Sequence, residues 1–367
     1  MVARLSESVS QADAKIMNDA PKDSHEQPQD TPPGVTLVAD FGGTNARFAT
    51  VGENPRDLRD VDVSRCADHP SLAQSVEAYL QKHGIRDLAE VCIAVAGPVD
   101  KDMVQLPNNH WIFSKSQLEL RLGAPLTVVN DFTAQALCID ILEEDELHWI
   151  GAPRPTGPGI RTLIGPGTGL GVAVEMPSGD IIPSEAGHVG FAATSEHEIQ
   201  LLRALFTRFR RVSIERLVSG PGLENIYWAN RRIAQPDPEA GQVQRSPEEI
   251  AELAHGGDPL ARESIEDFFD ILASFAGDMA LATWATGGIY LSGGVVEKLN
   301  RYLDPERFRA RFQDKGRFTR FCEEVPVARV RAEHPGLLGC AVAVRKLGHL
   351  PGLARGSEPG SGTLPVA

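Results

Sequence analysis

The sequence predicts an α/β protein of two domains. Three observations carry that reading: a length of 367 residues, short apolar runs alternating with helical periodicity, and glycine-rich turns directly behind several of the runs. A chain of this length exceeds the size at which a single hydrophobic core stops growing, so two cores are expected. Alternation of strand and helix patterns marks layered α/β architecture.

Taken in order, VTLVADF (residues 35–41) and RFATV (47–51) read as paired strands, and SLAQSVEAYLQKH (71–83) as a helix. VCIAVAG (91–97) and LTVVND (126–131) have the unbroken apolar character of buried strands, and FTAQALCIDIL, Phe132 to Leu142, resumes a helix. A second series follows the Pro/Gly-rich connector GAPRPTGPG (151–159), and the hinge between domains is expected around residues 140 to 160. In it RTLIG (161–165) and LGVAVE (170–175) are strands, and the loop SGD (178–180) leads to another. The stretch DPLARESIEDFFDILASFAGDMALATWATGG (258–288) places Ile265, Phe268, Leu272, Phe275 and Met279 at helical spacing, and GIYLSGG (288–294) is a strand running into a glycine turn. No short-period repeat of the solenoid kind is present.

The expected organisation is a disordered N-terminal extension over 1–34, a small α/β domain over 35–145, a large α/β domain over 146–335, a C-terminal helix over 336–350 that returns to the small domain, and a flexible tail over 351–367. The first segment is polar and proline-containing and lacks the apolar region of a secretory signal; the tail is biased to Gly, Ser and Pro.

Composition narrows the function. Hydrophobic residues make up 42% and charged residues 23%, ordinary for a folded soluble chain. With 36 basic and 50 acidic side chains the net charge is −14, which argues against nucleic acid and anionic membranes as partners. An anionic ligand would need local backbone donors. The five cysteines are far apart, with no CxxC or CxC, so neither a zinc knuckle nor a disulfide framework is expected, and reduced cytoplasmic thiols fit best. No segment reaches the roughly twenty consecutive apolar residues of a spanning helix.

Three glycine turns carry the chemistry. In DFGGTNARF (40–48), Gly42 and Gly43 allow a sharp turn and a close ligand approach, Thr44 and Asn45 add donors for phosphate oxygens, and Asp40 at the strand end could hold Mg²⁺, usually through water. The alternative is a hairpin whose turn happens to be GGTN. IGPGTGLGVAV (164–174) repeats the pattern with Gly167, Thr168 and Gly169, and a plain hairpin is again the alternative. LSGGVV (291–296), with Gly293 and Gly294, could line the adenosine side. Neither hairpin is a P-loop or a dinucleotide fingerprint. Asp131, behind LTVVN, could point from a strand end into a cleft and accept a proton; it could equally cap the helix that starts at Phe132. Glu185 and His188 are spaced E-x-x-H, which occurs in metal sites but lacks a second copy here. Trp111 is read as core rather than as a sugar-stacking face.

The motifs DFGGTNARF, AVAGPV, PNNHWIFS, VVNDFTAQA, GPGTGLGVA, SEAGHVGFA, ERLVSGPGLENIY, YLSGGVV, DKGRF and HPGLLGCAV, in this order from Val35 to Leu350, resemble the bacterial glucokinases. The resemblance implies two ribonuclease-H-like domains of the actin/hexokinase type with an interdomain cleft. It implies ATP-dependent phosphorylation of D-glucose at the 6-hydroxyl, the first step of glycolysis, with Mg²⁺ as cofactor, in a cytoplasmic homodimer. It makes Asp131 the catalytic base and aligns Asn108, Asn130, Asp131, Glu185, His188 and Glu215 with sugar-contacting positions. Nucleotide contacts fall to Asp40, Gly42, Gly43, Thr44, Asn45, Gly167, Thr168, Gly169, Gly293 and Gly294, with Asp40 on the metal side. One departure is Ala186, where the family usually has glycine, which bears on selectivity over mannose or glucosamine. A broader hexose or aminosugar kinase, a non-catalytic sugar sensor, and an ADP or polyphosphate donor remain the alternatives. A related group of sugar kinases and repressors carries a zinc-binding cysteine cluster that this chain lacks.

Overall fold

The computed structural model describes residues 34–107, 109–152, 157–234 and 244–347. The expected N-terminal extension, apart from Gly34, the C-terminal tail and the candidate Asn108 lie outside the described residues.

The chain opens with a meander, β1 (Val35–Phe41), β2 (Asn45–Val51) and β3 (Leu58–Arg65), followed by α1 (Leu72–His83) and β4 (Leu88–Val95). A small ladder of β5 (Met103–Gln105) and β6 (Ile112–Ser114) precedes α2 (Lys115–Leu122), β7 (Leu126–Asn130) and α3 (Asp131–Cys138). The five-stranded sheet has the order β3-β2-β1-β4-β7. Its meander is antiparallel, and β4 and β7 extend it in parallel from β1. Local chemistry sets the helix ends. The Ser71 hydroxyl accepts from the Gln74 amide at 3.2 Å to start α1, and Gly84 stops it at φ +67, a left-handed conformation that favours glycine.

A second series begins with β8 (Leu147–Trp149), β9 (Arg161–Pro166), β10 (Leu170–Glu175) and β11 (Ile181–Ser184). Helices α4 (Glu196–Leu205), α5 (Gly220–Ala234), α6 (Pro247–His255) and α7 (Pro259–Thr283) follow, then β12 (Gly288–Leu291), α8 (Gly294–Leu299), α9 (Pro305–Gln313), α10 (Thr319–Glu324), β13 (Val327–Val330) and α11 (Pro335–Leu347). The six-stranded sheet runs β11-β10-β9-β12-β13-β8. It repeats the plan of the first: an antiparallel meander whose inner strand, β9, is continued by the parallel strands β12 and β13. The two glycine hairpins, β1–β2 and β9–β10, therefore occupy equivalent places in the two sheets.

The long helix α7 buries Ile265, Phe268, Leu272, Phe275 and Met279, together with residues on its other faces, in the larger core. Trp111 is in the core of the first sheet, 2% exposed, with its indole N–H donating to the His69 carbonyl at 3.2 Å, so the core reading of this tryptophan holds.

Helix α3 lies between the two sheets. On one side Ala134 and Leu137 pack with Leu337, Cys340 and Ala341 of α11 and with Val38, Ala94 and Val129 of the first sheet. On the other, Ala136 joins Leu163, Ala173, Tyr290 and Ala328 of the second sheet. The α3–α11 crossing is a backbone contact, since a methyl built on Gly339 would lie 1.7 Å from the Ala134 carbonyl oxygen. Asp140, just beyond α3, pairs with both Arg161 of β9 and Lys346 of α11, tying the three elements by charge. Among the described residues, no helix is long and apolar enough to cross a membrane.

Candidate active site

Asp131 and Asp40 form the acidic centre. Asp131 is the first residue of α3, and the capping is done by its neighbour: the Asn130 side-chain oxygen accepts from the amides of Phe132 and Thr133 at 3.0 and 3.1 Å. This leaves the Asp131 carboxylate free of the capping role that sequence alone allowed it. Asp131 Oδ1 accepts from the Phe132 amide and from Asn130 Nδ2, each at 3.0 Å. The same Asn130 Nδ2 donates to the Gly97 carbonyl at 3.2 Å. With two donations and two acceptances the Asn130 amide is fully used, one bond fixing Asp131 and the others capping α3 and holding the Gly97 carbonyl.

Burial pushes the Asp131 carboxyl up to about 7, and the negative charge of Asp40 pushes it the same way, against the Phe132 amide and the Asn130 side chain. Asp40, near the end of β1, is also raised by burial, against the guanidinium of Arg47. Arg47 is its cross-strand partner in the β1–β2 register, with Nη1 3.3 Å from Asp40 Oδ2. His334, ahead of α11, adds a weaker field at Asp40, and a methyl on Gly336 would lie 2.7 Å from the Asp40 carboxyl carbon. Arg47, His334 and Gly336 were missed as site residues. The signal for Arg47 was its place seven residues after Asp40 across a tight hairpin, which sets the two side by side.

The turns are compact. In the first, spanning Gly42, Gly43 and Thr44, the Gly42 amide donates to the Asn45 carbonyl at 3.0 Å, and Asn45 is the first residue of β2. In the second, the Gly167 amide donates to the Gly169 carbonyl at 2.8 Å, while the Gly167 carbonyl accepts from the Gly220 amide at the start of α5, also at 2.8 Å. Gly293 adopts φ +111, and a methyl on it would lie 2.5 Å from the Pro166 carbonyl oxygen. The second and third turns thus lean against each other, with Gly294 opening α8 beside them. Thr168 sits at the tip of the second turn, between Gly167 and Gly169.

Glu185, His188 and Glu215 converge. A single 3-10 turn, Ala186–His188, sets Glu185 and His188 on one side, and the His188 ring lies between two carboxylates: Nε2 is 3.8 Å from Glu185 Oε2 and Nδ1 is 3.9 Å from Glu215 Oε1. Glu185 and His188 are open to solvent, at 83% and 59% side-chain exposure, so they offer unused polar groups. Glu215 instead anchors the second turn, its Oε2 accepting from the Leu170 amide at 2.9 Å. A methyl on Gly169 would lie 2.6 Å from that same oxygen, and one on Gly187 would lie 2.1 Å from the Leu170 carbonyl oxygen. The Glu185–His188 turn, Glu215 and the second glycine turn therefore interlock through glycine-only contacts. The Ala186 methyl, where the family usually has glycine, is buried in the larger core with Leu170, Val172 and Ile214. Among the described residues no group of three or more His, Cys, Asp or Glu that could hold a metal ion is found.

The chain matches the glucokinase family over residues 37–347. It is 42% identical over 314 residues to a glucokinase of Chromohalobacter salexigens, covering 84% of this chain and 97% of that protein. It is 41% identical over 310 residues to the bifunctional protein glk of Burkholderia lata, of whose length it spans about half, 48%. Among solved structures it resembles a glucokinase from an Antarctic psychrotroph, with a TM-score of 0.75, 31% identity and coverage of 85% of this chain and 99% of that one. A glucokinase of the ROK family from Streptomyces griseus, solved with glucose and AMPPNP, shares the fold at a TM-score of 0.60 and 24% identity, over 85% of this chain and all (100%) of that one. With an α/β fold of the actin-like hexokinase type and a family match spanning nearly all the described residues, the chain belongs to the glucokinase family.

Proposed function

We propose that this chain transfers the γ-phosphoryl group of ATP to the 6-hydroxyl of D-glucose, with Asp131 as the base that takes the hydroxyl proton. The carrying observation is the Asp131 carboxyl itself, held at the mouth of α3 by Asn130 and raised to about 7, where a base is most effective near neutral pH. Phosphoryl transfer has a loose transition state, so the protein's tasks are to align donor and acceptor and to neutralise phosphate charge. The turns at Gly42–Thr44 and Gly167–Gly169, with Gly293 and Gly294, supply backbone close enough to cradle the phosphates. Glu185, His188 and Glu215 supply acceptors and donors for sugar hydroxyls, and Asn130 acts mainly by orienting Asp131. The bound glucose and nucleotide analogue of the Streptomyces griseus structure support the same substrate pair.

Mg²⁺ fits the acidic centre, because Asp40 is a half-buried carboxylate with Arg47 alone as its ion-pair partner among the described residues and with Asp131 in its field. Asp40 would hold it, through water, and the ion would neutralise charge on the phosphates. Two lobes, 35–145 with the helix over 336–350 and 146–335, would close over the sugar and keep water from the transfer. The enzyme is read as a cytoplasmic homodimer. The five cysteines are free and buried, in keeping with a reducing compartment, and a monomer mass in sedimentation would remove the dimer from this reading.

The test is ADP release with Mg-ATP across glucose, mannose, fructose, glucosamine and N-acetylglucosamine, repeated from pH 5.5 to 8.5. Glucose should be preferred. Because the base must be ionised, kcat/KM for glucose should fall about tenfold for each pH unit below about 7. Silence with every sugar in a folded protein would overturn the kinase reading, and a flat acid limb would overturn the base. Glu215→Gln should raise the KM for glucose about tenfold by weakening one charged acceptor, with kcat little changed. An unchanged KM would remove Glu215 from the sugar site.

A further inference from the structure

The side chain next to the base has a seat that no ligand contact explains. The Phe132 ring lies over the cross-strand pair Gly165 on β9 and Gly171 on β10. A methyl built on Gly165 would be 2.4 Å from Phe132 Cε1, and one on Gly171 would be 1.9 Å from Cε2. These are the strand residues that flank the Gly167–Gly169 turn, two positions before it and two after. One helical turn along α3, the Ser292 hydroxyl donates to Gln135 Oε1 at 2.8 Å, and Ser292 adjoins the third glycine turn at Gly293. Helix α3 is thus fastened by its first two turns to the stems of the second and third glycine turns.

We infer that Phe132 is a positioning residue: its ring, seated on the Gly165–Gly171 pair, sets the distance from the Asp131 carboxylate to the glycine turn read as the phosphate cradle. Asp131 and Phe132 are consecutive, so a shift of the ring moves the carboxylate with it. The ring sits in the space that two missing side chains leave on one face of the β9–β10 hairpin. Glycine at 165 and 171 is required because any side chain there would occupy the ring's volume. This seat links the proposed base directly to the stem of the second glycine turn. A misplacement of about 1 Å between reacting groups can cost about a hundredfold in rate, so a single aromatic contact can carry a large share of kcat.

This inference rests on the reading of Asp131 as the base, and the experiment separates the two. Steady-state kcat and KM for glucose and ATP, the glucose Kd by calorimetry and Tm are measured for Asp131→Asn, Phe132→Leu, Phe132→Ala, Gly171→Ala and the Phe132→Ala/Gly171→Ala double variant. Phe132→Leu should lower kcat about tenfold or more in a folded protein, with both KM values and the glucose Kd within about twofold. Gly171→Ala should lower kcat similarly in the parent and have little further effect once Phe132 is alanine, because the methyl then enters vacated space. Additive losses in the double variant, a parental kcat for folded Phe132→Leu, or parallel losses of binding and turnover would each overturn the positioning role. A fully active Asp131→Asn would instead overturn the base on which it rests.

Discussion

Asp131→Asn is expected to lower kcat by about a hundredfold to ten-thousandfold, the contribution of a positioned general base, while glucose still binds. The same variant should be at least as stable as the parent at pH 8. The sign follows from linkage. The folded-state carboxyl titrates at about 7, above the value of about 3.9 for an unfolded aspartate, so its favourable contribution is present below that unfolded value and is lost as pH rises through about 7. At pH 8 the parent carries a partly buried carboxylate beside the charge of Asp40; the amide removes that burden and keeps an acceptor for the Phe132 amide. Calorimetry with turnover assays at pH 8 checks both halves together. Loss of activity with a large fall in Tm would mean that Asp131 is structural, and retained turnover would end its assignment as base.

Gly339→Val should be the most damaging single change outside the acidic centre. A methyl at 339 would already lie 1.7 Å from the Ala134 carbonyl oxygen and 2.3 Å from its carbon, both backbone atoms that no rotamer can move aside. Helices α3 and α11 would have to separate, opening the cluster formed by Val38, Ala94, Val129, Leu337 and Cys340. Overpacking of this kind costs about 1 to 3 kcal/mol and can exceed that where backbone must shift. A fall of about 5 °C or more in Tm is expected. Because Ala134 follows Asp131 by three residues on one helix, kcat should fall in whatever protein remains folded. A Tm within about 1 °C of the parent would show that the crossing is looser than its geometry implies.

The fold was legible wherever periodicity was strong. The helix read at 71–83 is present as Leu72–His83, and the two glycine hairpins are the turns β1–β2 and β9–β10. Short edge elements such as β5, β6 and β8, three residues each, have no pattern long enough to show. The duplicated sheet plan left no trace as a repeat, because the two copies share strand order and not side chains. The family was legible because ordered motifs survive where backbone must approach backbone or ligand. The site was legible in residue type and less so in role. The sequence left open whether Asp131 caps its helix, and only the structure assigns the cap to Asn130. Arg47 needed the cross-strand register, and Phe132 needed the knowledge that its ring packs on the paired Gly165 and Gly171, a contact between residues more than thirty positions apart.

Helix α11 closes the first sheet and yet follows the whole second series in the chain. During synthesis, the strands β1 to β7 leave the ribosome long before the helix that covers them. At about 5 to 20 residues per second, the roughly 200 residues between β7 and the end of α11 take about 10 to 40 s. For that interval Val38, Cys92, Ala94 and Val129, all buried against α11 in the finished protein, lack their partner. The nascent enzyme therefore carries an uncovered apolar face for far longer than strand pairing needs, which makes the first sheet a natural client for chaperones and makes premature termination before residue 335 a route to aggregation rather than to a smaller folded domain.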